Sequence, residues 1–336
     1  MILHVMIIEK FMPSFLDFMM ANFDVSQHRF VFISSPKYQF GLQPHHPVEF
    51  LYRDEDFATL ASYFDAADKI ILHGLWRDKV NGLLVQKKDW LDKSFWTMWG
   101  GDFYYYDQYS YNHKKVIAAV AGLISFIPGD VEWVRQKYEA RGQSCSCFCY
   151  PSNIYGGPEC DPRGERAESP QTVNILLGHS SAVENDHIYW IEYFSNIENA
   201  AIFSPLAYPP NPDYINKVVA VGHAKLNERF NPLLEFSTRE HYELFLNNID
   251  LAIMPSWRQH GMGNLISLLG RGIPVVMHSE TTSRKFLQEL GVELFSTDQI
   301  DVALANIGYN TQHAKIIQRY FSHTQLINDW RTIFNR

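Results

Sequence analysis

The chain has 336 residues, 46% of them apolar and 20% charged, with a formal net charge of -8. That length exceeds one ordinary core and points to two domains, while the composition excludes a disordered chain. The acidic balance argues against a nucleic-acid partner, which needs a basic face. The longest apolar run, Val116 to Ile127, falls well short of the ~20 residues a membrane span requires. The first residues read as a strand, without the basic start and small-residue cleavage site of a secretory signal. A soluble, cytoplasmic protein is expected.

In chain order, the first half alternates strands with helices. A strand over Leu3–Ile8 leads to a helix around Met12–Asn22 and a short strand over Phe30–Ser34. Residues Asp54–Ala66 are amphipathic and helical. Their Asp54-Glu55-Asp56 start reads as an N-terminal charge pattern, and no Asp-x-Asp string stands at a predicted strand end to hold a divalent ion. Strands over Lys69–Leu72 and Phe95–Trp99 end in His73-Gly74 and Gly100-Gly101-Asp102. Helices are expected around Lys114–Leu123 and Val131–Tyr138, and a last strand over Cys145–Tyr150. That strand would set Cys145, Cys147 and Cys149 on one face, ~6.5–7 Å apart, too far for three sulfurs to share a zinc at ~2.3 Å each. With Cys160 they read as reduced structural or surface thiols.

Residues 151–170 hold Gly156-Gly157-Pro158, Asp161-Pro162 and Arg163-Gly164 without hydrophobic periodicity, so the domain boundary is placed there, between residues 160 and 161. The first domain then spans residues 1–160 and the second 161–336, the last helix being free to pack back on the first domain. The second half restarts with a strand over Thr172–Leu177, the turn Gly178-His179-Ser180-Ser181 and a helix near Asn185–Tyr193. A strand over Ala201–Leu206 ends in the stiff turn Tyr208-Pro209-Pro210, and helices follow over Asp213–Val221 and Ser237–Asn247. A strand over Leu251–Met254 runs into Arg258-Gln259-His260-Gly261-Met262-Gly263-Asn264, a short helix, a glycine stop and a buried strand. The fold class is α/β: two Rossmann-like domains facing a cleft, with ligands beyond the carboxyl ends of the strands.

Several strand ends carry chemistry. A glycine turn ahead of a helix aims backbone N–H groups at an anion, and both Gly178-His179-Ser180-Ser181 and the Arg258 loop have that form. Arg258, Gln259 and Asn264 add donors suited to phosphate or sugar hydroxyls. The plainer readings are a helix cap at Ser180 or Ser181 and glycines that only permit tight packing. His187 either faces the cleft or is a satisfied core histidine. In the first half, Asp102 follows two glycines in an exposed backbone setting suited to a general base; His73 is the other candidate, and a helix cap is the plainer role for Asp102. Trp76, Trp90, Trp96, Trp99, Phe103, Tyr104, Tyr105, Tyr106, Tyr109 and Tyr111 crowd one segment, where seven Lys/Arg stand against five Asp. Aromatic and basic side chains together suit a bilayer interface, although the core claims at least half of these rings. No G-x-G-x-x-G follows the first strand, which argues against a nicotinamide-dependent oxidoreductase.

Read in order, His73-Gly74, Phe95-Trp96, Trp99-Gly100 with Asp102, Gly178 with Ser180, Asn185 and His187, Tyr208-Pro209-Pro210-Asn211, and Arg258-Gln259 with Gly261, Gly263 and Gly272-Ile273-Pro274 resemble one family. It is the N-acetylfucosaminyltransferase family (glycosyltransferase family 56), which moves that sugar from its dTDP derivative to an undecaprenyl-linked disaccharide in enterobacterial common antigen synthesis. The resemblance runs from about residue 70 to about residue 300. It implies a GT-B fold and a metal-independent hexosyltransferase with no cofactor, peripheral on the cytoplasmic face of the inner membrane. Its partners would be a nucleotide-sugar donor and a polyprenyl-linked glycan acceptor. Donor-binding residues would be Gly178, His179, Ser180, Ser181, Tyr208, Arg258, Gln259, His260, Gly261, Gly263 and Asn264, with Tyr208 on the nucleotide side. Gly74, Arg77, Trp99 and Gly101 would meet the acceptor, and Asp102 or His73 would serve catalysis. The chain departs from the family at His179, Ser181, Ala182, Val183 and His260, which leaves the donor sugar open; inversion against retention is open too. The rival outside enzymes is a nucleotide-sugar-binding or glycan-binding protein of polysaccharide assembly.

Overall fold

The computed structural model describes residues 1–37, 39–158 and 172–336. The chain divides into two compact units, residues 1–153 together with 323–336, and residues 154–322. The boundary expected between residues 160 and 161 lies outside the described residues, as does Cys160.

The first unit is built on a parallel sheet, seven strands among the described residues: β1 (Ile2–Met6), β2 (His28–Phe32), β3 (Val48–Phe50), β4 (Lys69–His73), β5 (Ser94–Thr97), β6 (Gly122–Ile124) and β7 (Gln143–Cys145), in the order β3-β2-β1-β4-β5-β6-β7. Its helices are α1 (Met12–Asn22), α2 (Phe57–Ala66), α3 (Asp78–Leu84), α4 (Lys88–Leu91), α5 (Tyr111–Ala119) and α6 (Pro128–Tyr138), and the C-terminal α14 (His323–Asn335). Side chains alternate across the strands, so Leu3, Val5, Val31, Ile70 and Leu72 share one face. They form a buried core with Leu60 and Phe64 of α2, Val80 and Leu84 of α3, Val116 and Ile117 of α5, and Val131 and Val134 of α6. The opposite face carries His4, Phe30 and His73 against Phe15 of α1 and Trp330 of α14. Helix α14 buries Leu326, Trp330 and Ile333, spaced four and three apart as one helical stripe. Hydrogen bonds fasten it, Trp330 Nε1 to Cys149 O at 2.8 Å and Lys69 Nζ to Ile333 O at 2.6 Å and to Phe334 O at 3.1 Å.

The second unit carries a parallel six-stranded sheet among the described residues: β8 (Val173–Leu177), β9 (Ala200–Pro205), β10 (Phe230–Leu233), β11 (Leu251–Met254), β12 (Val275–Met277) and β13 (Phe295–Ser296), ordered β10-β9-β8-β11-β12-β13. Its helices are α7 (His187–Phe194), α8 (Pro212–Leu226), α9 (Arg239–Leu246), α10 (Met262–Leu269), α11 (Thr282–Glu289), α12 (Ile300–Ala305) and α13 (Thr311–Tyr320). Proline at the first positions of α1, α6 and α8 loses no intrahelical bond there. Ser110, Asn211, Thr238, Thr281 and Asn310 cap their helices through side-chain oxygens.

Three expectations are corrected. The helix read to Leu123 ends at Ala119, and Gly122–Ile124 is strand β6, where a Cβ on Gly122 would lie 2.1 Å from the Phe95 ring on β5. The strand read to Tyr150 stops at Cys145: Cys149 has φ 65°, so the three thiols do not alternate along one strand face. All three are free and buried, and burial pushes the Cys145 and Cys147 thiols up. The helix expected near Asn185 begins at His187, after a turn of 3-10 helix at Val183–Asn185.

Candidate active site

In the second sheet the chain runs outward from β8 through β9 to β10, then returns to the other side of β8 as β11. That reversal is the topological switch point at which open α/β sheets bind ligands beyond their carboxyl ends. Both glycine-bearing loops singled out in the sequence leave the sheet there. Gly178 N donates to Ile253 O at 2.8 Å, and the His179 and His260 rings meet edge to face with centroids 4.1 Å apart. Gly178 and Gly261 have φ of 70° and 67°. A Cβ at Gly178 would stand 2.8 Å from His187 Nε2, and one at Gly261 2.7 Å from the His179 ring. Only glycine fits either position.

The β8 loop offers less backbone to an anion than expected. Besides Gly178 N, Ser181 N is committed to Tyr208 O, and Ser180 Oγ accepts from Ala182 N. Ser181 Oγ donates to Pro209 O, which ties this loop to the turn after β9, where the Tyr208–Pro209 bond is cis. Neither Ser180 nor Ser181 caps α7, because the N-cap is Asp186. The stronger anion site is the start of α10. Gly261 is its N-cap, no side chain caps it through a hydrogen bond, and Met262, Gly263 and Asn264 supply the leading N–H groups that any helix leaves unpaired.

Arg258 is nearly buried and has a partner the sequence did not suggest. Glu184 Oε1 accepts from Arg258 Nη2 at 3.1 Å and Nε at 3.3 Å, and Gln259 O accepts from Nη1 at 3.3 Å. Around this pair, buried polar atoms stand without a hydrogen-bond partner among the described residues: His179 Nε2, Asn185 Oδ1, His187 Nε2, Ser256 Oγ and His260 Nδ1. Unmet buried polar groups are rare in folded proteins and call for an explanation such as a ligand. Burial holds His179 well below the usual imidazole range, His187 at about 4 and His260 at about 3. All three are neutral at pH 7, so they offer hydrogen bonds rather than charge. Tyr214 Oη accepts from His187 N and stands 3.1 Å from His187 Nδ1. With the Tyr214 hydroxyl donating to Nδ1, the unmet Nε2 carries a hydrogen.

In the first unit, the loops after β4 and β5 come together through Asp102, although not as expected. Asp102 is fully buried, not exposed. Its carboxylate accepts from Trp99 N at 2.9 Å, Leu75 N at 3.1 Å and Trp96 Nε1 at 2.8 Å, while its carbonyl stands 2.7 Å from His113 Nε2. Burial raises its pKa to about 6 against the pull of those donors. Two glycines before a carboxylate do not make it accessible when three donors draw it inward. Gly74, with φ 76°, and Gly101 both lie against the Trp76 indole, which packs on Trp99 with ring centroids 5.5 Å apart and stays 42% exposed. The glycines therefore seat Trp76. Arg77 donates to Ile33 O at 2.7 Å and covers the Phe57 ring. His73 is 1% exposed and both of its ring nitrogens are engaged. Of the aromatic segment, Trp90, Trp96, Phe103 and Tyr104 belong to the core, while Trp76 and Tyr111 reach the surface. Lys87 pairs with Asp65 at 2.9 Å, and Lys88 with Asp92 at 2.5 Å.

One trio of metal-ligating types stands together among the described residues, Asp17, His45 and His46. It does not suit a cation. His46 Nδ1 accepts from Gln43 N at 3.0 Å, so Nε2 holds the ring hydrogen and donates to Asp17 at 3.0 Å. The acidic run at Asp54 is likewise engaged, by Lys79 at 2.6 Å. No helix among the described residues is long and apolar enough to cross a membrane.

Solved structures share this architecture. Sucrose-phosphate synthase (tll1590) from Thermosynechococcus elongatus superposes with a TM-score of 0.73 at 12% identity, covering 99% of this chain and 98% of that one. Anabaena Alr3699/HepE in complex with UDP and glucose gives 0.69 at 13% identity, covering 99% of each chain. The lipopolysaccharide outer core galactosyltransferase WaaB, in its apo form, gives 0.67 at 11%, again covering 99% of each. The fold is therefore GT-B. Residues 10–335 match the family described as 4-alpha-L-fucosyltransferase, glycosyl transferase group 56. That match sets aside the oxidoreductase and the non-catalytic binding protein; the chain belongs to glycosyltransferase group 56.

Proposed function

We propose that this glycosyltransferase moves a deoxyamino sugar from a dTDP-linked donor, held by the second unit, to a polyprenyl-linked glycan held by the first. The observation that carries the donor half is the meeting of the Gly178 and Gly261 loops at the switch point, where unmet buried polar atoms surround Arg258. In this reading the diphosphate lies over the start of α10 and replaces Glu184 as the counter-charge of Arg258. Helix dipole, N–H groups and guanidinium then stabilise the departing diphosphate without a metal ion. Tyr208, 38% exposed beside the Ser181 turn, is the surface for the nucleobase. The UDP and glucose in the HepE complex support a nucleoside diphosphate sugar on this fold. The dTDP donor and lipid-linked acceptor rest on the sequence resemblance.

In the first unit Trp76 and Trp99 form the platform on which an acceptor sugar ring stacks, and Asp102 positions both loops. In this reading the unit works at the cytoplasmic face of the inner membrane, where the polyprenyl tail is anchored; the exposed Trp76 and Tyr111, with Lys115 over the Tyr111 ring, support it. The reading is tested by incubating the protein, with EDTA present, with dTDP-, UDP- and GDP-sugars and a polyprenyl-diphosphate disaccharide, and weighing the lipid product by mass spectrometry. Transfer from a dTDP-sugar supports it. Transfer only from UDP- or GDP-sugars, or only with a divalent ion, overturns it.

A further inference from the structure

Three imidazoles lie on adjacent strands of the first sheet, each offset by two residues from the next, on the face covered by α1 and α14. His28 opens β2 opposite Ile2, His4 sits mid-strand in β1, and His73 closes β4 opposite Met6. They run diagonally along about 13 Å of strand. His28 Nδ1 stands 3.0 Å from His4 Nε2, His4 Nδ1 is 3.0 Å from His73 Nε2, and His73 Nδ1 is 2.9 Å from Tyr150 Oη. At the inner end Trp99 Nε1 donates to Tyr150 Oη at 2.9 Å, and Thr97 Oγ1, which donates to Leu72 O at 3.0 Å, lies 3.3 Å from the same oxygen. Phe15, Phe30, Trp330 and Phe334 wall the imidazoles with aromatic rings. At the outer end His28 is half-buried, and Asp24 and the N-terminal amine are the charged groups acting on it.

Burial keeps His4 well below the usual imidazole range, His73 at about 3 and His28 at about 4. Each ring is therefore neutral at pH 7 and carries a single N–H. A row of such rings, joined nitrogen to nitrogen, has two self-consistent arrangements. In one, Tyr150 donates to His73, His73 to His4 and His4 to His28, which leaves the His28 Nε2 hydrogen at the outer end. In the other every hydrogen points inward, and Tyr150 donates to Thr97. Passing from the first to the second takes up a proton at Tyr150 and releases one at His28.

We propose that Tyr150, His73, His4 and His28 form a proton wire that carries the hydrogen lost by the acceptor hydroxyl from the carboxyl edge of this sheet to solvent at its other edge. The proposal rests on the reading of the first unit as the acceptor side. As the acceptor oxygen attacks the anomeric carbon of the donor, the bond from that carbon to the diphosphate oxygen breaks and its electron pair stays on the diphosphate. The acceptor O–H hydrogen goes to Tyr150 Oη while the Tyr150 hydrogen goes to His73 Nδ1. The His73 Nε2 hydrogen goes to His4 Nδ1, the His4 Nε2 hydrogen to His28 Nδ1, and the His28 Nε2 hydrogen to water. Tyr150, buried but still 5% exposed against 1% for His73 and none for Asp102, is the group assigned to meet substrate, on the lone pair that Thr97 leaves open by donating to Leu72 O; the three histidines act through it. This also accounts for a His73 with no nitrogen free.

The test needs no substrate for its first half. In full-length Tyr150→Phe protein labelled with ¹⁵N-histidine, whose inner end is closed to proton exchange, the imidazole N–H groups of His4 and His73 exchange with solvent through His28. His28→Phe should slow both by roughly tenfold or more, and His28→Gln, which keeps a hydrogen bond but has no second ring nitrogen, should do the same should the first variant fail to fold. In the transfer assay, His28→Ala should lower kcat with KM for both substrates unchanged, and added imidazole should restore it. Unchanged exchange in the folded variant overturns the wire. Slowed exchange with wild-type kcat overturns its assignment to the acceptor hydrogen. Because exchange is read without donor or acceptor, failure of the wire is distinguishable from failure of the proposed substrates.

Discussion

Arg258 and Glu184 form an ion pair at 3.1 Å, with side-chain exposures of only 9% and 15%, joining the two loops that leave the second sheet at its switch point. A pair so far from water holds each charge by means of the other. Removing one partner leaves the second uncompensated, which costs more than the contact alone is worth. Arg258→Ala should therefore weaken nucleoside diphosphate binding by more than the ~1.5–3 kcal/mol of one charged hydrogen bond, because it also leaves Glu184 facing the anion. Glu184→Gln should preserve or tighten binding, and the double variant should recover part of the loss. Calorimetric titration with dTDP checks the cycle; equal affinity in all four proteins would make the pair purely structural.

Gly178→Ala and Gly261→Ala should each destabilise the fold by more than ~1 kcal/mol, since each meets a positive φ and a neighbour closer than 3 Å. Gly41 also has a positive φ, 87°, but nothing within 4 Å of its would-be Cβ. Gly41→Ala thus reports backbone strain alone. Urea unfolding of the three variants should show a smaller loss for Gly41→Ala, and a loss as large as at Gly178 would remove the argument from crowding at the site.

Asp102→Asn should destabilise the first unit before it affects chemistry. Trp99 N meets one carboxylate oxygen, and Leu75 N and Trp96 Nε1 meet the other, so an amide must turn its NH₂ toward at least one donor. Leaving a buried donor unsatisfied costs about 1–3 kcal/mol. Lower thermal stability, with kcat falling in parallel and partly recovered at lower temperature, is the expected pattern. A variant as stable as the wild type but without turnover would mark Asp102 as the base.

Acid should unfold this protein earlier than its carboxylates alone would. Folded His73 and His260 sit at about 3, and His28 and His187 at about 4, against ~6.5 in the unfolded chain. Below pH 6.5 the unfolded chain binds protons that the native state refuses, so stability falls as pH drops from 6.5 toward 4. Asp102 and Asp329, both raised to about 6, act in the opposite sense: their contribution is present at low pH and is lost as pH rises through 6. Four imidazoles outweigh two carboxyls. Thermal midpoints should decline steadily from pH 7 to pH 5, and a flat profile would mean that the histidines are not buried neutral.

Much of the second unit was legible because its signals are local. Gly178, Gly261 and the Arg258 run follow strands directly, and glycine at a strand end states its own backbone requirement. The partners of these residues were not legible. Glu184 reaches Arg258 across 74 residues, and only the return of β11 to the side of β8 brings them together. Asp102 failed for a related reason: its neighbours Gly100 and Gly101 suggest exposure, whereas its burial is decided by Leu75 on another strand's loop. Strands β6, β10 and β13 have two to four residues each, too short for a period to emerge. His4, His28, His73 and Tyr150 come from four separate segments, and parallel register alone aligns the first three.

The central claim is that the second unit binds a nucleoside diphosphate sugar over the Gly178 and Arg258 loops. Thermal unfolding of wild type and of Gly261→Ala in the presence of dTDP, UDP, GDP and NAD measures it, because a ligand that binds only the folded state raises the midpoint. With dTDP the midpoint of the wild type should rise, and that of Gly261→Ala should rise less or not at all, while NAD should have no effect. No midpoint rise with any of the three nucleoside diphosphates, or an equal rise in both proteins, would contradict it.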